Sequence, residues 1–213
     1  MTYYHQEIEA IRQRPGLHID RKSISVLYNH LGGFSSAMRR LGISDKEEEL
    51  LPLPVYYFHD FVANHYGWIG STAGWRNIIL QENAFDEEKC FDIFYELYDD
   101  FCSLAFLRSQ YTKLSEKEVN YHYTNKHAPK KSIPPDYKTE PLFTNPVEMY
   151  LFELSRDAGY FQMINTDTHH CFHYCIHKDR IEAEEYLRQC FGSDYAWSDI
   201  DIKNYSFYLD TSF

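Results

Sequence analysis

DEEKCFDIFYELYDDFCSLAFLR, residues 86–108, decides the class of the first half of this chain. Phe91, Phe94, Leu97 or Tyr98, Phe101, Leu104 or Ala105, and Leu107 or Arg108 recur at helical steps. Glu87, Glu88, Asp92, Glu96, Asp99 and Asp100 mostly take the opposite side. The spacing predicts one helix over about 86–108, apolar inside and acidic outside. Acids in its first turn suit the positive end of the helix dipole, whereas Asp99 and Asp100 lie too deep to gain from it.

Moving towards the N-terminus, the same period recurs. Ile24, Leu27, Leu31, Phe34, Met38 and Leu41 form a stripe over 23–41, and Gly42 is a natural stop. Gly32 and Gly33 are expected either to split this helix or to let another element approach closely. A short helix carries Ile8 and Ile11 and ends at the turn Arg14-Pro15-Gly16, which is expected to send Leu17 and Ile19 inward. Two more short helices are predicted, one from Val55 with Phe58, Val62 and Tyr66 on one face, the other over Trp75 to Leu80. The charged run 45–49 reads as solvated.

Moving towards the C-terminus, the character changes. Residues 111–146 hold Pro129, Pro134, Pro135, Pro141 and Pro146 and read as a loop or linker. Beyond it, Met149 to Leu154, Gly159 to Ile164 and His170 to Ile176 are short aromatic and β-branched runs separated by turn residues. They predict a three-stranded antiparallel meander, with the first run open between strand and helix, because Asn145-Pro146-Val147-Glu148 also has the form of a helix cap. Asp179 and Glu182 have capping-box spacing before a helix over 179–191, which Gly192 stops, and 199–209 reads as a last strand. The expectation is an α+β protein: a mainly helical part over 1–110, a Pro-rich loop or linker over 111–146, and an antiparallel sheet plus helix over 147–213. The helical half is expected to pack with the small sheet, the two halves being either separate or one integrated domain.

The chain carries a net charge of −11 with His neutral. Nucleic-acid affinity comes largely from Lys and Arg neutralising phosphates, so nucleic acid and anionic membranes are disfavoured as partners and a basic protein is favoured. The first 16 residues lack the apolar core of a secretory leader, no run approaches the roughly 18 apolar residues of a membrane span, and five cysteines at irregular spacing make no disulfide framework. The expected compartment is the cytoplasm.

The chemistry-bearing motifs are few. The segment from Ile8 to Ile19 resembles the entry motif of gyrase B-type ATPases, but the helix after it offers Asn29 without a Glu-x-x-x-Asn arrangement, and no phosphate-cradling loop follows. The run 169–177 (HHCFHYCIH) is the sharpest feature. On a strand, Cys171, His173, Cys175 and His177 share one face, and Cys and His are zinc ligands. Residues two apart on a strand spread over roughly 6–7 Å, so three cannot converge on one ion without a second segment such as His122 or His127. A metal-dependent enzyme at this cluster is therefore the alternative reading, beside a half-exposed sheet face with small buried cysteines. His59-Asp60 contains a general-base residue type, but no nucleophile is tied to it by spacing. Residues 192–201 place Tyr195 and Trp197 among Asp194, Asp199 and Asp201. Rings anchor protein interfaces and a carboxylate rim suits a basic partner, so these five are the predicted partner-binding residues. The alternative is that Trp197 plugs the core.

Arg14-Pro15-Gly16 with the helix after it, Gly70-Ser71-Thr72-Ala73-Gly74-Trp75, and Asp157-Ala158-Gly159-Tyr160-Phe161 carry a further likeness. The layout of most of the chain resembles bacterial immunity proteins of polymorphic toxin systems. That resemblance implies a cytoplasmic protein without cofactor that blocks a cognate toxin by binding it; the acidic charge of the chain would suit a toxin of a basic, nuclease-like kind. It carries over no functional residue. The expected function is therefore protein binding without turnover; the alternatives are the metal-dependent enzyme and a scaffold or regulatory subunit.

Overall fold

The computed structural model describes residues 3–43, 53, 55–68, 72–114, 147–165, 171–191 and 196–201. The chain divides into two compact units, Met1–Leu104 and Ala105–Phe213. The first is helical and the second holds the sheet, which makes the fold α+β.

Unit 1 contains α1 (Tyr3–Gln13), α2 (Pro15–His18), α3 (Ile24–Arg40), a 3-10 turn at Val55–Tyr57, α4 (Phe58–His65), α5 (Trp75–Glu82) and α6 (Glu87–Cys102). Its core forms where the apolar period of α6 meets the other helices. Cys90, Phe91, Phe94, Tyr95, Leu97, Tyr98 and Phe101 of α6 are all buried. Phe58 at the start of α4 touches Trp75, Phe94, Tyr98 and Phe101 edge-on, with ring centroids 5.8, 5.4, 5.7 and 5.6 Å away. Edge-to-face pairs are worth about 0.5–1.5 kcal/mol each beyond the area they bury.

The helix predicted over 86–108 is shorter than its period suggests. It ends at Cys102, and Phe106–Leu114 form strand β1. The apolar spacing through Leu104 and Leu107 suits either state, and long-range pairing with β2 decides it. Residues 111–114, read as the start of a linker, therefore belong to the sheet; the rest of that stretch, 115–146, lies outside the described residues, as does the charged run 45–49.

Three further expectations change. Ile19 is buried, but Leu17 is 74% exposed, because α2 is a single turn with Pro15 at its first position and Leu17 on its open side. The α3 stripe buries Ile24, Leu27 and Leu31 and then fades; Leu41 is 73% exposed. Gly32 and Gly33 neither split α3 nor admit a neighbour, since a Cβ at either position meets nothing within 4 Å.

Unit 2 is a five-stranded antiparallel sheet in the order β4-β3-β2-β1-β5, with β2 (Val147–Leu154), β3 (Tyr160–Asn165), β4 (Cys171–His177) and β5 (Ser198–Asp199). The three predicted strands appear at the expected places, whereas the last strand, predicted over 199–209, covers only Ser198–Asp199; Ile200 and Asp201 are not strand, and 202–209 lies outside the described residues. The β2–β3 hairpin turns through Arg156 and Asp157, both at positive φ (59° and 53°), as a type I′ turn requires, with the Ala158 N–H donating to the Ser155 carbonyl. Phe106, Phe152 and Phe161 form an aromatic ladder on one face, with centroids 4.7 and 5.9 Å apart. The other face carries Arg108, Gln110, Leu151 and Glu153, by the register of β1 and β2. Helix α7 (Arg180–Phe191) lies against β3 and β4, burying Ala183 and Leu187. The predicted cap is present: the Glu182 N–H donates to Asp179 Oδ1 at 2.9 Å, and the Glu182 carboxylate accepts from the Lys178 N–H at 2.9 Å. No helix among the described residues is long and apolar enough to cross a membrane.

Because α3 uses neither glycine, Gly33→Ala is expected to raise stability by about 0.5–1 kcal/mol through lost backbone entropy of the unfolded chain. Urea denaturation of the single variant checks this.

Candidate partner-binding surface

Asp194 and Tyr195 lie outside the described residues. Trp197 is half-buried, and Asp199 and Asp201 are exposed. Asp199 is engaged within its own unit. Its carboxylate accepts from Arg108 Nε at 2.9 Å and Nη2 at 3.2 Å, and from Gln110 Nε2 at 3.0 Å. The Arg108 hydrogen bonds, with that of Gln110 and the field of Arg180, outweigh desolvation and hold the Asp199 carboxyl below the usual range.

Of the four residues of the metal alternative, the side chains of Cys171, His173 and Cys175 lie outside the described residues. His177 is buried and packs its ring 5.4 Å from that of Tyr186 on α7. Among the described residues, no group of three or more His, Cys, Asp or Glu side chains is arranged to hold a metal ion. His59 and Asp60 are both half-buried on α4; burial pushes the Asp60 carboxyl up, against the field of His59. The two described cysteines are free. Burial, the largest influence on each, pushes both thiols up, Cys102 to about 11. Neither is poised as a thiolate.

The acids of α6 divide into two sets. Glu87 accepts from Ser23 Oγ (2.7 Å), Ser25 N–H (3.0 Å) and Ser25 Oγ (2.6 Å), which fixes the start of α3. Desolvation works against its charge, but the hydrogen bonds from Ser25 and Ser23 and the field of Arg76 outweigh it and hold the carboxyl low. Asp92 pairs with Lys22 at 3.2 Å. Asp99, too deep in α6 to use the dipole, takes both guanidinium ends of Arg12 from α1, while Arg12 also lies 4.9 Å over the Tyr95 ring. Glu88 and Glu96, two turns apart, stay exposed. So does Asp86, whose carboxylate caps α6 by accepting from the Lys89 N–H at 3.0 Å.

One residue in this region was missed by sequence reasoning. Phe85, in the turn between α5 and α6, is 67% exposed. It and Ala84 both adopt left-handed backbone, at φ 61° and 54°. Bulky residues reach that region only at a cost. The turn is held by the Phe85 N–H donating to the Leu80 carbonyl at 2.8 Å and the Asp86 N–H donating to the Asn83 carbonyl at 3.2 Å. In the chain Phe85 is flanked by the exposed acids Glu82, Asp86 and Glu88. An apolar side chain just before a helix cap reads as core, and only the backbone geometry turns this one outward.

The comparisons give no relative. No protein-family model matches this chain. Nor does any curated protein or solved structure. The surface must therefore be read from its own chemistry: the outward ring of Phe85, the exposed acids beside it in the chain, and a helix on which Glu87, Asp92 and Asp99 are held by contacts within unit 1.

The low Glu87 carboxyl makes a signed prediction. A depressed folded-state pKa contributes stability above the unfolded value and loses it as pH falls through the folded value. Glu87→Gln should therefore cost about 1–2 kcal/mol at pH 7. Its difference from the wild type should shrink as the solution is acidified below the ordinary carboxylate range. Urea denaturation at several pH values reads both effects.

Proposed function

We propose that this protein acts by binding another protein without turnover, as an immunity protein that neutralises a cognate toxin by direct contact. The observation that carries the reading is Phe85, a large ring held outward on strained backbone beside Asp86 and Glu88. Strained, exposed residues are more often kept for contact than for stability. A carboxylate rim around an aromatic anchor matches a partner with a basic surface and an apolar recess, as a nuclease-like toxin would have. Charge complementarity steers such an encounter and excludes wrong partners, while the desolvated ring supplies most of the affinity. The net charge of −11 favours the same partner class.

The contact is placed at the α5–α6 turn in preference to Asp199, whose carboxylate is taken up by Arg108 and Gln110. The cytoplasm, where such toxins act, is the proposed compartment.

The test is co-expression with the product of the neighbouring gene, which the proposal takes to be the toxin. Growth rescue and a complex on gel filtration are expected. Phe85→Ala should weaken the complex by about 30-fold or more, the scale of an interface hot spot, with the fold intact because the ring is exposed. Glu88→Lys with Glu96→Lys should slow association and reduce its salt dependence. Absence of both rescue and complex would defeat the proposal.

A further inference from the structure

The short strand β5 sits on the edge of a much longer one. β1 spans nine residues, and β2 pairs with it from Phe106 to Leu114. On the other edge, among the described residues, β5 pairs Gln110 with Asp199 and Tyr111 with Ser198, followed by the Ile200 N–H donating to the Ser109 carbonyl at 2.9 Å. Both β5 residues are exposed. To these ladder pairs the Asp199 carboxylate adds a side-chain attachment to Arg108 and Gln110.

What receives that carboxylate is better built than what supplies it. Gln110 is only 5% exposed. Its Oε1 accepts from Arg180 Nη1 at 2.6 Å, and Arg180 Nε in turn donates to Glu184 Oε1 at 2.7 Å. The amide is thus oriented by α7, which leaves its Nε2 to donate at the edge. Arg108 stands across the ladder from Glu153, just after the irregularity that begins at Phe106. An arginine fork and an amide donor converging on two oxygens is a carboxylate receptor.

We propose that Arg108 and Gln110, set by Arg180, form a carboxylate-binding site on the edge of β1, and that its ligand is an extended segment of another protein bearing an aspartate or glutamate. Asp199 fills the site in cis. A partner strand that places its own carboxylate in the site and pairs with Gln110 and Tyr111 replaces Ser198 and Asp199 there. This is strand addition to a sheet edge, with one carboxylate setting the register. The inference stands apart from the acidic face of unit 1 and does not depend on the partner being a toxin.

The probe is a fluorescent peptide copying residues 196–201, acetyl-Ala-Trp-Ser-Asp-Ile-Asp-amide, titrated into the full-length protein. Asp199→Ala should empty the receptor and tighten peptide binding at least about tenfold over wild type, the scale of a charge-assisted pair. Adding Arg108→Ala, or replacing the first peptide aspartate by asparagine, should abolish that gain. A folded Asp199→Ala protein that binds no better than wild type, or that binds the asparagine peptide equally well, overturns the proposal. Hydrogen exchange on the unaltered protein gives an independent reading. The Ile200 amide should exchange about 100-fold faster or more than the amides of β2, as a locally opening strand does. Protection equal to that of β2 would mean that β5 does not leave, and the site would be structural only.

Discussion

Phe58 is the point on which unit 1 depends. It sits at the first position of α4, is 3% exposed, and is enclosed by rings from two other helices as well as its own. Three of its neighbours, Phe94, Tyr98 and Phe101, lie on α6 at the i, i+4, i+7 spacing of one helical face. Such a face can be closed only by a bulky partner placed between its turns. The ring of Phe58 takes that position, and Trp75 of α5 is drawn in beside it, 4.9 Å from Phe94. Close packing of rings leaves little tolerance for volume change.

That constraint sets the electrostatics as well. With the buried face of α6 given mostly to rings, its acids are forced outward and crowd along one helix. The chain relieves part of the repulsion locally. Serines of α3 take Glu87, Lys22 takes Asp92, and Arg12 takes Asp99. These contacts also tie α1 and α3 to α6, together with the Tyr95 hydroxyl donating to the Ile8 carbonyl at 3.1 Å and the Tyr98 hydroxyl meeting His5 Nδ1 at 3.0 Å. What remains outside, Glu88, Glu96 and Asp86 near Phe85, is charge that the fold has not neutralised by these pairs, and the proposed binding role uses it.

Much of this was legible in the residues because it is local. The α6 face, the Asp179–Glu182 cap and the three strands over 147–177 each follow from a period or a turn signal within a dozen residues. The end of α6 at Cys102 was not legible: residues 103–108 continue a helical spacing, and only pairing of β1 with β2, more than thirty residues away in sequence, makes a strand from Phe106 onward. The candidate sites divide in the same way. The acid-aromatic character of 194–201 was visible, but not that Arg108 and Gln110 would claim Asp199. Phe85 was hidden for a different reason, since a phenylalanine before a helix is ordinarily core and nothing in its neighbours announces two consecutive left-handed residues.

The central claim is that unit 1 is organised by the closure of rings around Phe58. Chemical denaturation of Phe58→Ala, followed by aromatic circular dichroism, tests it most directly. The account predicts a loss of about 3–5 kcal/mol, the cost of emptying a fully packed aromatic site, together with collapse of the aromatic signal. A loss below about 1 kcal/mol with that signal retained would contradict it.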